Sequence, residues 1–395
     1  MHDIAIAGGG LGGAALAATM AASGADVVVI ERETVFRDRV RGESILCWGV
    51  AEIENLGLTE VFEQAGGHEL PYWLIRPKGK ESRSIHLPTT TNLGTVPLGI
   101  SHPRMQETLL GHAADKGARV MRGARVTSIE SGKIEYSNNG VLGEIHARLV
   151  VSTEGRNAPA RKLFPADMHN IDPDIRLIAG LLFEDVPAPS DANNVSPDGE
   201  GHIVAMFPQG GGRVRAYIHS PVEEERMYSG SRDYDHFKAD SIELSGWDDY
   251  LGPAVPAGPL ATFSCTESWI DHPYDNGVVL IGDAAATSDL TFGQGLSLTL
   301  RDVRTLAEAL RIDDNWDIAC HQYAESHDRY WNTLHTYTGW IGELFFSAGP
   351  EAAERRAHAV SKRESNPEMN PNCIQEGPNI ELTEEVRSGS SAKND

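Results

Sequence analysis

The hydrophobic pattern at the start of the chain predicts a strand, a helix and a second strand in succession. Residues 2–7 (HDIAIA) form a short apolar run that ends in a glycine cluster, and residues 13–23 are small and helix-favouring. Residues 26–31 (DVVVIE) are β-branched without polar alternation, which is typical of a parallel strand covered on both faces. Together the three segments predict one βαβ unit.

The remaining pattern predicts a second α/β portion that is interrupted by an antiparallel sheet. The predicted segments are a helix at 104–116, strands near 118–130 and at 145–152, a strand at 176–184, a hairpin at 202–219, a strand at 278–283 and a helix from about 295 to 311. The hairpin turns at a glycine-rich stretch, Gln209 to Gly212. Residues after about 364 are rich in Asn, Pro, Glu and Ser, which predicts an extended or partly disordered tail.

Gly8, Gly10 and Gly13 satisfy the spacing G-x-G-x-x-G. The first glycine permits a tight turn, the second leaves room for a pyrophosphate, and the third lets helix and strand pack closely. The helix that follows presents free N–H groups and a partial positive charge to phosphates. Glu31 ends the next strand, where a carboxylate accepts hydrogen bonds from a ribose. The combination predicts a Rossmann-type dinucleotide site.

Composition narrows the class of partner. The chain has 34 basic and 57 acidic residues and a net charge of −23, which argues against nucleic acid and anionic membranes as partners. No apolar run is long enough to span a bilayer. The four cysteines form no C-x-x-C pair, so neither a zinc site nor a disulfide framework is expected. These features predict a cytoplasmic protein with a small-molecule ligand.

The second half of the chain favours FAD over NAD as the bound dinucleotide. A predicted strand ends at Gly282-Asp283, and Gly293-Gln294-Gly295 opens a helix with a core-facing apolar stripe. Asp283, at the carboxyl end of its strand, is placed to reach a ribityl hydroxyl. The N–H groups at the following helix start can stabilise negative charge on a reduced flavin ring.

At these residues the chain resembles the aromatic-hydroxylase family of flavoprotein monooxygenases, the group that includes p-hydroxybenzoate hydroxylase. Gly282 to Ala285 and Gly293 to Gly295 match the family's GDAAH-x-x-x-P-x-x-G-Q-G motif, and Glu154 to Arg161 resembles its DG-x-x-S-x-x-R motif. The resemblance implies an α/β fold: a Rossmann-type FAD-binding domain with an inserted, mainly antiparallel substrate sheet and a C-terminal helical region. With the glycine motif, it implies FAD contacts from Gly8, Gly10, Leu11, Gly13, Glu31, Arg32, Arg41, Arg104, Val126, Glu154, Gly155, Asp283, Gly293, Gly295 and Leu296.

The chain also departs from the family pattern. Ala286 stands where the family has His, Leu290 where it has Pro, and Ala158 where it has Ser. Glu154 replaces a common Asp in the middle motif, a segment that the family links to both FAD and NAD(P)H. The electrons are therefore expected from NADH or NADPH, either directly or through a partner flavin reductase.

The resemblance implies a monooxygenase that transfers one oxygen atom of O₂ to a small organic substrate through a flavin C4a-(hydro)peroxide. The sequence contains no catalytic triad or metal cluster, so no catalytic residue is assigned, and His102 is interpreted as structural or close to FAD. Candidate substrate-pocket residues are Trp48, Tyr72, Trp73, Phe207, Arg215, Tyr217 and Phe292. Phe207 and Tyr217 have the alternative of core-facing strand positions. Arg215 is either an anchor for an anionic substrate or an ordinary exposed arginine.

Three other functions stay open at this point: a flavin-dependent halogenase, a flavin reductase or dehydrogenase that acts on an isoprenoid double bond, and a non-enzymatic FAD-binding protein. The halogenase signature W-x-W-x-I-P is absent, and Lys78 and Lys80 lie in a predicted hairpin tip. The predicted division of the chain is 1–70, 101–170 and 273–312 for the FAD-binding domain, 71–100 and 171–272 for the substrate domain, 313–364 for C-terminal helices and 365–395 for the tail.

Overall fold

The computed structural model describes residues 1–166, 168–170, 176–366, 369 and 372–390. Its strands are β1 (His2–Ala7), β2 (Val27–Glu31), β3 (Ser44–Ile45), β4 (His68–Glu69), β5 (Tyr72–Ile75), β6 (Arg83–His86), β7 (Leu98–Gly99), β8 (Arg119–Arg122), β9 (Ala124–Glu130), β10 (Lys133–Asn138), β11 (Val141–Ser152), β12 (Met168–Asn170), β13 (Arg176–Glu184), β14 (Ala192–Pro197), β15 (Ile203–Pro208), β16 (Val214–Pro221), β17 (Val255–Ser264), β18 (Ser268–Ile270), β19 (Tyr274–Asp275), β20 (Val278–Leu280) and β21 (Ala286–Thr287). Its α-helices are α1 (Leu11–Ala22), α2 (Cys47–Asn55), α3 (Thr59–Gln64), α4 (His102–Asp115), α5 (Tyr234–Ser245), α6 (Asp248–Leu251), α7 (Gly295–Ile312), α8 (Trp316–Phe346), α9 (Pro350–Ser365), α10 (Cys373–Glu376) and α11 (Glu384–Ser390).

The predicted βαβ unit lies at the centre of an eight-stranded sheet. Its parallel part has the spatial order β20-β11-β1-β2-β8, with β19 at one edge and β9 and β10 extending β11 in antiparallel fashion. Counted along the chain, the five parallel strands stand in the order 3-2-1-4-5 from β8 to β20, which is the doubly wound arrangement of dinucleotide-binding folds. The helices α1, α4 and α7 pack together over one face of this sheet.

The inserted sheet predicted for the middle of the chain has seven strands in the order β17-β13-β16-β15-β14-β5-β6. All its strand pairs are antiparallel except β14 with β5. One face packs on α5 and α6 through a core that includes Phe183, Phe237 and Trp247. The alternation of side chains along each strand leaves the other face turned towards the eight-stranded sheet. The α/β fold with an inserted antiparallel sheet and C-terminal helices is therefore confirmed.

Two expectations about individual segments were wrong. The strand predicted near 118–130 is divided at Gly123, which has a φ of +72° and ends the parallel strand β8 before the antiparallel β9 begins. The tail predicted to be extended instead forms α10 and α11 within its described part. Cys373 and Val386 in these helices are buried against α8 and the start of α2, because the tail carries enough apolar residues to cover that face. Residues 367, 368, 370, 371 and 391–395 of the predicted tail lie outside the described part.

Candidate functional site

The turn after β1 forms an open cradle. Gly8 has a φ of +98°, and a Cβ on Gly13 would lie 1.9 Å from the carbonyl oxygen of Gly8, so strand and helix approach at a distance that only glycine permits. The helix α1 begins at Leu11, with Gly10 as N-cap and no side chain capping its first N–H groups. These free donors and the positive end of the helix dipole suit an anionic pyrophosphate.

Glu31 lies at the carboxyl end of β2, beside this cradle. Its Oε2 accepts a hydrogen bond of 2.7 Å from the Gly9 N–H, and its Oε1 accepts one of 2.7 Å from the Glu33 N–H. The two backbone bonds fix the orientation of the carboxylate, which lines a cavity. Each carboxylate oxygen keeps a second acceptor site, which is what a ribose diol requires.

The turn Gly282–Ala284 follows β20 and is held from behind by a buried carboxylate. Asp302 on α7 accepts a hydrogen bond of 2.7 Å from the Gly282 N–H with Oδ2, and the Tyr330 hydroxyl donates to its Oδ1. The neighbouring Asp283 lines the cavity and has no hydrogen-bond or ion-pair partner for its carboxylate among the described residues. Burial raises the pKa of Asp283, while the positive charges of Arg156 and Arg41 oppose that shift.

The start of α7 forms a second N-terminal end at the cavity. Gly293 has a φ of +64°, and Gln294 is the N-cap residue without a side-chain cap on the helix. The Gln294 amide is held in place: its Nε2 donates to the Phe292 carbonyl at 2.9 Å, and its Oε1 accepts from the Trp48 indole N–H at 3.1 Å. The first N–H groups of α7 are therefore free for a ligand.

A single cavity of about 960 Å³ joins these pieces to the exposed face of the seven-stranded sheet. Seventeen of the predicted site residues line it: Gly8, Gly10, Leu11, Glu31, Arg32, Arg41, Val126, Glu154, Gly155, Asp283, Gly293, Gly295 and Leu296 on the cofactor side, and Trp73, Phe207, Tyr217 and Phe292 on the substrate side. The structure brings these residues together, and their individual roles as ligands stay predictions.

The other predicted contacts do not line the cavity. Gly13 lies behind the turn. Arg104 is exposed at the start of α4, and its guanidinium covers Gly66 instead. Trp48 is buried under the α7 start, and Tyr72 packs against the ring of His86 at 5.0 Å. Tyr72 points away because successive residues of a strand face opposite sides, and Trp73 takes the cavity side.

Arg215 was considered as an anchor for an anionic substrate, and the structure contradicts that hypothesis. Its side chain is fully buried. It donates to both carboxylate oxygens of Glu43, at 2.8 and 3.0 Å, and to Asp38 at 2.7 Å. Its charge is therefore neutralised inside the protein, and its contribution is to hold the Arg41–Glu43 segment against the sheet.

Sequence reasoning missed Gln106 on α4, which lines the cavity near Gly10. A Cβ on Gly10 would lie 3.5 Å from its side-chain Nε2. The signal was present, because Gln106 shares the helical spacing of Leu109, Leu110 and Ala113 and is the polar member of that buried stripe. His102, one turn earlier, also lines the cavity, and its Nδ1 lies 3.1 Å from the Gly42 carbonyl oxygen. Burial, helped by Arg41, lowers the pKa of His102 to about 4, so its imidazole is neutral at physiological pH.

The chemistry of the cavity suits FAD. Among the described residues, the buried Oε2 of Glu154 has no hydrogen-bond partner, and the unpaired Asp283 carboxylate lines the same cavity. Burial raises the pKa of Glu154 to about 7, while Arg32 opposes the shift and Glu31 adds to it. Unpaired acceptors suit the hydroxyls of a ribityl chain and a ribose, and two uncapped helix starts suit phosphates and an electron-rich ring. These groups and the cradle define a dinucleotide-binding protein with an attached apolar compartment.

No cluster of His, Cys, Asp or Glu in the described part of the chain is arranged to hold a metal ion. Within the same described residues, no helix is long and apolar enough to span a membrane. The four cysteines, all within the described ranges, are free thiols.

A family model described as "FAD binding domain" matches residues 1–312. The chain belongs to this family, and the resemblance drawn from its motifs is confirmed. It is 28% identical to rifampicin monooxygenase from Rhodococcus hoagii over 80% of this chain and 65% of that protein. It is 24% identical to squalene monooxygenase from Mus musculus over 87% of this chain and 60% of that protein. The chain thus spans less than two thirds of the length of these two curated relatives.

Among solved structures, the chain is similar to CmlS, a flavin-dependent halogenase. The TM-score is 0.76 at 17% sequence identity, over 98% of this chain and 76% of that one. This likeness shows the shared fold.

Proposed function

We propose that the chain is an FAD-dependent monooxygenase that inserts one oxygen atom from O₂ into a small organic substrate. The observation that carries the proposal is the continuity of the cavity, in which the dinucleotide cradle opens directly onto an apolar sheet face. When bound and reduced, FAD supplies the activation of O₂ and the transfer of one oxygen atom. The names of the two monooxygenase relatives support the same class of reaction.

The chain's own residues would bind and orient the reactants. Glu31 would accept hydrogen bonds from the ribose, the N–H groups that start α1 would bind the pyrophosphate, and Asp283 would bind the ribityl chain. The free N–H groups at the start of α7 would stabilise negative charge on the reduced ring. The apolar wall, with Trp73 and Phe207, would exclude water from the reacting centre and hold the substrate.

The electrons would come from NADH or NADPH, directly or through a partner flavin reductase. Arginines along the cavity on the cofactor side, Arg37, Arg39 and Arg156, support a direct encounter with an anionic dinucleotide in a chain that is otherwise strongly acidic. The free thiols support a reducing compartment, and we propose the cytoplasm.

The alternatives from the sequence have less support at the site. No lysine is present among the described residues that line the cavity, so a halogenase lysine has no candidate there. Lys78 reaches the Glu243 carbonyl on the surface instead. A reductase that acts on a double bond has no observation of its own in its favour.

The test is oxygen transfer from ¹⁸O₂ by the FAD-loaded chain, with NADPH or a flavin reductase as electron source and a panel of apolar substrates. A product heavier by one ¹⁸O atom supports the proposal. Halide incorporation would support a halogenase, and product formation without oxygen would support a reductase. Either of those results would overturn the monooxygenase assignment.

A further inference from the structure

His219 interrupts an otherwise apolar row across the cavity face of the seven-stranded sheet. It lies on β16 between its cross-strand neighbours Ile178 on β13 and Ile203 on β15. Beyond them the row continues to Phe263 on one side and Pro197 on the other. All five residues line the cavity, so the imidazole stands in the middle of a hydrophobic wall.

The imidazole of His219 is buried and makes no hydrogen bond within the described part of the chain. His219 is 5% exposed, and its Nδ1 is buried without a hydrogen bond. Neither ring nitrogen has a hydrogen-bond partner among the described residues, which is unusual because buried polar groups are nearly always paired. Burial lowers the pKa of His219 to about 3, and the positive charge of Arg176 adds to the effect. The ring is therefore neutral and offers one donor and one acceptor.

Two arginines on the strands of this sheet, Arg176 and Arg215, are already neutralised. Arg176, whose positive charge acts on His219, forms a buried ion pair with Asp289, and its guanidinium lies over the Phe346 ring at 3.8 Å from the centroid. Arg215, further along β16, is paired with Glu43. The one described charge that acts on His219, Arg176, is thus already paired, and burying a substrate carboxylate beside the ring would be costly. An uncharged polar group would complete the imidazole's hydrogen bond.

We propose that His219 is the specificity-determining polar anchor of the substrate compartment, which takes an uncharged, mainly apolar molecule that carries a hydroxyl or carbonyl oxygen. The proposal rests on the proposed function in one respect, namely that the substrate binds against this wall of the cavity. The neutral ring donates to the carbonyl or accepts from the hydroxyl, and the flanking aliphatic and aromatic side chains cover the rest of the molecule. The next cavity-facing row supplies further apolar surface through Tyr217 and its cross-strand neighbour Ala205.

Three probes of matched shape test the proposal: 2-naphthol, 2-methylnaphthalene and 2-naphthoate. Each is titrated into the FAD-loaded chain, and binding is followed by the change in flavin fluorescence and by calorimetry. We expect 2-naphthol to bind about tenfold tighter than 2-methylnaphthalene, the equivalent of one net hydrogen bond, and 2-naphthoate to bind more weakly than 2-naphthol. His219→Phe should abolish the preference, so that 2-naphthol and 2-methylnaphthalene bind with about equal affinity. His219→Asn should retain part of the preference for 2-naphthol. The matched control His146→Phe, on the exposed part of β11, should leave the preference unchanged.

A second measurement needs no variant. In a long-range ¹H–¹⁵N spectrum of the wild-type imidazoles, 2-naphthol should shift the His219 nitrogens and 2-methylnaphthalene should not. Tighter binding of 2-naphthoate, equal or absent binding of 2-naphthol relative to 2-methylnaphthalene, or an unchanged His219 spectrum would each overturn the proposal. These measurements follow binding and involve no turnover, so their outcome is independent of the oxygen-transfer test. Loss of the naphthol preference would not contradict the monooxygenase assignment, and failure of oxygen transfer would not contradict the role of His219.

Discussion

Replacing Arg215 with methionine is predicted to destabilise the chain strongly. The guanidinium is fully buried and is bound by Glu43 and Asp38, whose side chains are 1% and 30% exposed respectively. Methionine fills similar volume but leaves the Glu43 carboxylate buried, with the Gln209 amide as its one remaining partner among the described residues. Removing one member of a buried ion pair costs about 3–5 kcal/mol, a large part of the about 5–15 kcal/mol that stabilises a typical domain.

The pH dependence of the Arg215→Met variant gives an independent signature. Burial already raises the pKa of Glu43, with the Arg215 hydrogen bond opposing the shift. Without the arginine the pKa rises further, so the folded state holds a proton that the unfolded chain releases at lower pH. The contribution of Glu43 to the free energy of unfolding is then greatest below the pKa that Glu43 has in the unfolded chain. It falls as the pH rises through the higher pKa that Glu43 has in the folded variant. The variant should therefore be more stable at pH 5 than at pH 7.

Urea unfolding followed by circular dichroism measures these differences, and Glu43→Gln supplies the matched second change. Added to Arg215→Met, it removes the unpaired charge and should restore about 2 kcal/mol or more. A loss below about 1 kcal/mol in Arg215→Met, or no recovery in the double variant, would refute the reasoning that an uncompensated carboxylate dominates the cost. Either result would also reopen the assignment of Arg215 as a structural residue.

Three further predictions concern the cofactor side. Burial raises the pKa of Glu154 to about 7 from 4.5, so its contribution to the free energy of unfolding, up to ~3 kcal/mol, is lost as the pH rises from about 4.5 to about 7. In urea unfolding at several pH values, Glu154→Gln should remove this pH dependence. Asp302→Ala leaves a buried turn amide without its acceptor, and FAD titration by fluorescence should show roughly tenfold or greater weakening; unchanged affinity would contradict its positioning role. Gly13→Ala places a Cβ 1.9 Å from the Gly8 carbonyl oxygen and should abolish FAD retention on gel filtration, whereas Gly111→Ala, with open space around it, should retain FAD.

The parts of the site that follow from local sequence were predictable. The glycine turn, Glu31 and the Gly282-Asp283 turn each depend on a strand that ends where the apolar run ends. The carboxyl ends of parallel strands meet at one edge of a sheet, so these residues converge without further information. For the same reason the fold class could be inferred from the order of the segments.

Residues whose direction depends on packing were not predictable. Arg104 and Gln106 are two positions apart on α4, and only the packing of the helix decides that Gln106 faces the cavity. Arg215 shares the cavity-facing alternation of Tyr217 and His219, but the Arg41–Glu43 segment covers it. That contact joins residues 172 positions apart, which no local pattern reveals. The tail was predicted as extended because its composition is polar, although a few apolar residues suffice to hold it on α8.

The central claim is tested most directly by the flavin itself. The purified chain, stripped of any bound flavin, is titrated with FAD, and its absorbance is then followed anaerobically while NADH or NADPH is added. The account predicts one FAD per chain and bleaching of the bound flavin by a nicotinamide or by an added flavin reductase, followed by rapid reoxidation when O₂ is admitted. A chain that binds no FAD after reconstitution would contradict the account at its root.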